Sequence, residues 1–216
     1  MAYFLTEPEP LLERLLADVP GAPPLELARE EMMEAVREFC RLSWVWSETS
    51  ERLPVHPRLA CYDIEAPSGG VAAKILSLSY RGRELDAVTP DWVEQQFGSF
   101  AGIEPGEPRW YTQEDSEELV LIPPPATRER AAMTMRVAFM PRRDAERIPA
   151  VLLEHHRDAL LDGARARMFA QPRKPWTDFD AAGLFQQRFE AAIWKAKQAS
   201  QTGLVRAAKR TVPRYL

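Results

Sequence analysis

Residues Gly163–Asp178, GARARMFAQPRKPWTD, constrain the fold more than any other stretch of the chain. Before it, Leu152, His156, Ala159, Leu160, Gly163 and Ala164 recur at helical spacing. After it, Phe185, Phe189, Ala192, Ile193 and Ala196 do the same. Between the two stripes, Pro172 and Pro175 stop helix continuation, because proline lacks an amide hydrogen and clashes with the preceding turn. Trp176 offers a large apolar anchor, and Asp178 or Asp180 stands where a helix N-cap is needed. The reading is a helix from Pro149 to about Phe169, a rigid corner, and a final helix. Gly163 and its alanine neighbours predict close approach of another helix.

The rest of the chain changes hydrophobic period twice. A short helix is predicted from Pro10 to Asp18, ended by Pro20-Gly21 and Pro23-Pro24. A longer one runs from Leu25 to about Trp46, with Leu27, Met32, Ala35, Val36, Phe39, Cys40, Leu42 and Ser43 on its apolar stripe. Trp44 and Trp46 close it as packing residues at a domain junction. Alternation then replaces the helical period: Leu59 with Cys61, Tyr62 with Ile64, and Leu76, Leu78 and Tyr80 ahead of a hairpin tip at Arg81-Gly82-Arg83. A short helix over Asp91–Phe97 follows Pro90. Short strands at Arg109–Thr112 and Leu119–Ile122 flank an acidic turn. Met133, Met135, Val137 and Phe139 form the clearest strand. The expected class is α+β: an antiparallel helical bundle of two N-terminal and two C-terminal helices (1–50 and 141–203), an inserted β-rich module (51–140), and an extended C-terminal arm (204–216).

No chemical site stands out. His155 and His156 are adjacent, so on a helix they diverge by about 100° and cannot share a metal; one packed and one solvated histidine is the expectation. Ser68-Gly69-Gly70 lacks the lysine and following helix of a phosphate loop. Ser43, Ser47 and Ser50 have no nucleophile-elbow context. Cys40 and Cys61 sit in apolar patterns and are read as buried reduced thiols, in a protein made in a reducing cytoplasm. The first segment carries no signal-peptide pattern, and no apolar run approaches the ~18 residues of a membrane span. The expectation is no enzyme, no metal and no cofactor. A cell-wall-degrading virion hydrolase using some Glu/Asp pair is the alternative. A DNA-binding protein is disfavoured by the net charge of −4.

That net charge hides a split. Residues 1–125 carry 10 basic against 23 acidic side chains, and residues 126–216 carry 18 against 9. Such polarity is either solvated surface or the basis of head-to-tail association between copies. The basic end includes the arm, where Arg206, Lys209, Arg210 and Arg214 alternate with Leu204, Val205, Val212, Tyr215 and Leu216. As a free terminus it is either a disordered tail or an apolar-basic arm that orders on a partner, the reading its Leu, Val and Tyr favour; four cations also allow nucleic-acid binding, against which the overall negative charge argues.

In this order the segments resemble the head-to-tail adaptor (connector) proteins of tailed bacteriophages. They are REFCRLSWVWSET (37–49), the Ile75–Leu85 hairpin, LVLIPPP (119–125), MRVAFMP (135–141), and above all the stretch from Ile148 to Lys197 with its Gly-Ala-x-Ala and Lys-Pro-Trp. The resemblance implies a homo-oligomeric ring of twelve beneath the portal protein. It also implies a downstream nozzle or stopper protein, and a channel through which double-stranded DNA passes without sequence-specific contact. The place is the virion neck, after assembly in the host cytoplasm, with no membrane involved. The arm from Leu204 to Leu216 is then the portal-docking segment, with Pro175 and Trp176 fixing the corner from which it leaves. Cationic channel walls would retain phosphate, so the acidic half is expected to face the lumen.

Overall fold

The computed structural model describes residues 4–113 and 115–202; the arm lies outside them. The chain is α+β, with six α-helices and several sheets among the described residues. In order they are β1 (Leu5–Thr6), α1 (Glu9–Asp18), α2 (Leu25–Ser43), β2 (Ser47–Thr49), β3 (Leu53–Val55), β4 (Cys61–Asp63), β5 (Gly70–Tyr80), β6 (Arg83–Glu84) and β7 (Asp86–Ala87). There follow α3 (Pro90–Phe97), β8 (Trp110–Thr112), β9 (Glu118–Ile122), β10 (Glu129–Pro141), β11 (Ile148–Pro149), α4 (Ala150–His155), α5 (Arg157–Phe169) and α6 (Phe179–Thr202). Two compact units result: Trp46–Ile148, and Phe4–Val45 together with residues 149–202.

The first unit is built around β10. It pairs antiparallel with β5 along one side, and with β2 and β3 along the other. Met133, Met135, Val137 and Phe139 are buried, as their alternation demands. On β5 the alternation fails for a definable reason. Its register against β10 slips between Ser77 and Ile75, so Leu76 is the extra residue of a bulge. Ile75, Leu78 and Tyr80 are therefore buried while Leu76 is only half-buried, which corrects the expected Leu76–Leu78–Tyr80 face. The hairpin tip is as read: Arg81 (φ 51) and Gly82 (φ 79) both take the positive φ of a two-residue turn. Glu129 accepts hydrogen bonds from Tyr80 Oη (2.8 Å) and Arg81 Nε (2.9 Å), tying the tip to the start of β10.

Trp46 is fully buried beside Phe139, with ring centroids 6.1 Å apart. A Cβ at Gly70 would lie 2.8 Å from its indole, so the start of β5 must be glycine to let the ring in. A second sheet runs β4-β9-β8-β7, with β7 parallel to β8 and the other pairs antiparallel. Its core is Leu119, Leu121 and Ile122. Cys61 is exposed here, against expectation, because β4 is a three-residue edge strand paired with β9 alone. Leu59, just outside it, is 44% exposed.

In the second unit α2 packs on α5 and α6 through Ala28, Met32, Ala35, Val36 and Phe39, all fully buried. Leu11, Leu12 and Leu15 carry α1 onto α2 and α5. Helix α2 ends earlier than its pattern suggests, at Ser43. Trp44 takes a left-handed conformation (φ 60, ψ 22) while its amide still bonds Cys40 O at 3.0 Å. The expected single helix from Pro149 to Phe169 is two, because His156 sits at φ −130, outside helical geometry, with its ring 5.0 Å from that of Phe39. His155 is solvated and His156 half-buried, as read.

Candidate functional site

The corner singled out in the sequence lies in the helical unit, where it joins α5 to α6. Helix α6 begins at Asp178, whose Oδ1 accepts the Ala181 amide at 2.9 Å and whose own amide donates to Phe169 O. Between α5 and α6 the corner closes on itself. Thr177 Oγ1 donates to Gln171 O (2.6 Å) and accepts from the Lys174 amide (2.8 Å), and Arg173 takes φ 60 to complete the turn. Trp176 is buried and donates Nε1–H to Gln171 Oε1 at 3.3 Å; Gln171 in turn donates to Glu31 on α2 at 2.8 Å. Pro175 is exposed yet abuts Gly21, where a Cβ would meet its ring at 2.7 Å. Pro172 lies exposed in the turn. Trp176 and Pro175 thus pin the corner to the α1–α2 connection and to α2, while Asp178 starts α6.

Mid-helix, α6 seats on α5 where Gly163 meets Phe189. Nearby, the Arg165 guanidinium bonds Asp162 (2.9 Å) and also pairs with Asp18. Burial raises the Asp162 carboxyl above its ordinary value, and Arg165 offsets part of that.

The far end of α6 is the last described stretch of the chain. Lys197 Nζ stands 4.2 Å from the centroid of the Trp44 ring and 5.4 Å from that of Trp194, and Ser200 Oγ donates to Ser43 O at 2.8 Å. A helix of 24 residues is about 36 Å long at ~1.5 Å per residue. The Pro175–Trp176 corner and Thr202, the last described residue, stand at opposite ends of α6. The arm residues Leu204, Val205, Arg206, Lys209, Arg210, Val212, Arg214, Tyr215 and Leu216 lie outside the described residues.

Sequence reasoning missed the Trp44–Lys197–Trp194 cluster. Trp194 and Lys197 are three apart on one helix, a spacing that makes neighbours and could have been noticed. Trp44 comes from another element, in a left-handed conformation that no local pattern announces.

Among the described residues no group of His, Cys, Asp and Glu is placed to hold a metal ion, and no helix is long and apolar enough to cross a membrane. Cys40, fully buried, has its thiol pushed up to about 12 by burial alone, so it is a core residue.

The chain matches the family described as SU10 adaptor protein over residues 11–212 and belongs to it. That membership gives it the structural role of a phage adaptor, a virion part that associates with portal and tail proteins. No curated protein matches the chain.

Proposed function

We propose that this chain is the head-to-tail adaptor of a tailed phage. Twelve copies form a ring beneath the portal, join the DNA-filled head to the tail and surround the channel through which the genome passes. The observation that carries the reading is the family match, which spans both compact units and reaches residue 212. The helices of the Phe4–Val45 and 149–202 unit form an antiparallel bundle whose outer faces pack side by side between copies, and the arm docks on the portal. The acidic N-terminal half faces the channel, where it does not hold phosphate. The adaptor acts without catalysis.

The test is co-sedimentation with the portal protein encoded in the same genome, using the intact chain and a chain truncated after Gly203. Stoichiometric binding that is lost on truncation is the expected result. Absence of binding by the intact chain would overturn the adaptor reading, and undiminished binding by the truncated chain would overturn the role of the arm.

A further inference from the structure

Within the Trp46–Ile148 unit, residues of β2, β3, β4 and β10 enclose a groove of about 440 Å³. Its floor is apolar. Met135, Val137 and Phe139 of β10 line it, each almost wholly buried, and half-buried Leu53 of β3 lies beside them. Its rim is acidic. Glu48 stands opposite Val137 in the β2–β10 register, so the two side chains share the face that lines the groove. Glu51, Asp63 and Glu65 complete the rim, and all three are exposed.

Among the described residues, none of these four carboxylates takes part in an ion pair or a side-chain hydrogen bond. No lysine or arginine lines the groove either; Arg52, although its sequence neighbours Glu51 and Leu53 do, is not part of the lining. Charges of one sign around an apolar cleft reinforce one another's potential, so the groove favours a cationic occupant and repels nucleic acid. The four do not form a group that could hold a metal ion. Cations spaced along a chain fit this rim where a single ion does not, and their aliphatic stems and apolar neighbours suit the floor.

One segment of this protein has that chemistry. Residues 204–216, which lie beyond the described residues, carry Arg206, Lys209, Arg210 and Arg214 and no carboxylate side chain, interleaved with apolar residues that include Val212 and Tyr215. Fully extended, such a segment spans roughly 43–47 Å, enough to leave one copy and enter another.

We propose that residues 204–216 of one copy dock in the acidic groove of a second copy, cations on the rim, with Val212 and Tyr215 over the apolar floor. The groove stands on its own geometry; that copies stand side by side rests on the adaptor reading. On that reading the portal and the groove compete for one segment.

The experiment puts the photo-crosslinker benzoylphenylalanine in place of Tyr215 in the full-length protein, and reads cross-links on denaturing gels and by mass spectrometry. Dimers joined from position 215 to residues 48–65 or 135–139 are expected. Their yield should fall at least about fivefold in high salt, and by as much with Glu51→Gln, Asp63→Asn and Glu65→Gln together. A free peptide of residues 204–216 should suppress the dimer, and the same peptide with its four cations replaced by glutamine should not. The peptide pair uses the unaltered groove, so it keeps the test decisive if the triple variant fails to fold. No dimer, a cross-link confined to one chain, a dimer mapped to another surface, or equal suppression by the two peptides overturns the proposal. A chain that binds the portal without giving the groove cross-link sinks this inference and leaves the adaptor reading standing. Groove-mapped dimers in a chain that binds no portal keep the groove and remove the adaptor reading.

Discussion

Gly163 lies against the face of the Phe189 ring, so close that a Cβ there would come within 2.7 Å of Cε2 and 2.9 Å of Cδ2 and Cζ. That contact sets how near α5 and α6 approach, since Phe189 is itself buried and cannot swing away. Gly163→Ala is expected to destabilise the protein by about 1–3 kcal/mol through overpacking, despite alanine's better helix propensity. Gly183 on α6 provides the contrast, because a Cβ there meets nothing within 4 Å. Gly183→Ala should stabilise by up to about 1 kcal/mol. Urea melts of the two variants should move in opposite directions; movement in the same direction would mean that the α5–α6 contact is looser than described.

The corner offers a graded set. Trp176→Ala removes a buried indole and is expected to cost about 3–5 kcal/mol. Asp178→Ala removes one cap bond and should cost about 0.5–2 kcal/mol. Gly21→Ala meets Pro175 and forces alanine to φ 81, so it should be destabilising although Gly21 is exposed. A melt of Trp176→Ala that matches wild type would remove the corner from the structural account.

Much of this was legible because local chemistry and tertiary packing agree. Gly163 announced a close helix contact, Arg81-Gly82 a tight hairpin, and Asp178 a cap, and each needed only its own neighbourhood to be read. The misreadings share a different cause. Leu76 fails to alternate because a bulge shifts the register of β5 against β10, a property of two strands far apart in sequence. Cys61 is exposed because β4 is an edge, and being an edge is decided by which strands remain to pair. His156 leaves helical geometry with its ring on Phe39 of α2, a partner that periodicity along α4 and α5 cannot supply. The Trp44–Lys197–Trp194 cluster went unread because Trp44 meets α6 only in three dimensions.

His156 gives the stability a pH dependence of defined sign. Burial chiefly, and the neighbouring His155 secondarily, lower its pKa from the ordinary 6.5. The unfolded chain then takes up a proton near pH 6.5 that the native state still refuses. Stability should fall as pH drops below 6.5, down to the lowered native value, and be unaffected above it. His156→Gln should flatten this slope. Urea midpoints at pH 7.5 and pH 5 for both proteins make the comparison, and parallel shifts would assign the acid sensitivity elsewhere.

Glu129 acts with the opposite kind of group but the same direction of loss. Hydrogen bonds from Arg81 first and Tyr80 second hold its pKa below the ordinary 4.5. Its stabilisation is present above pH 4.5 and is lost as pH falls through the lowered value. Tyr80, pushed up to about 12 by burial and by Glu129, remains a donor throughout that range. Glu129→Gln should therefore be less stable than wild type at pH 7, and the difference should narrow as pH falls below 4.5. A gap in urea midpoint that stays constant as pH is lowered step by step from 7 through the acid range would show that the residue contributes by packing.

The C-terminal end of α6 should hold whether or not residues 204–216 are present. Lys197 between Trp44 and Trp194, and Ser200 on Ser43 O, are contacts made before residue 203. Truncation after Gly203 removes none of them, so the melt should stay within about 0.5 kcal/mol of wild type, as for surface changes generally. Lys197→Met should cost about 0.5–1 kcal/mol, because the cation leaves two ring faces while the stem's apolar contact is kept. Lys197→Arg should cost less, since guanidinium stacks on the same rings. If truncation instead destabilises as much as Trp176→Ala, the arm is part of the folded core, and its loss of portal binding would report unfolding, not a missing docking segment.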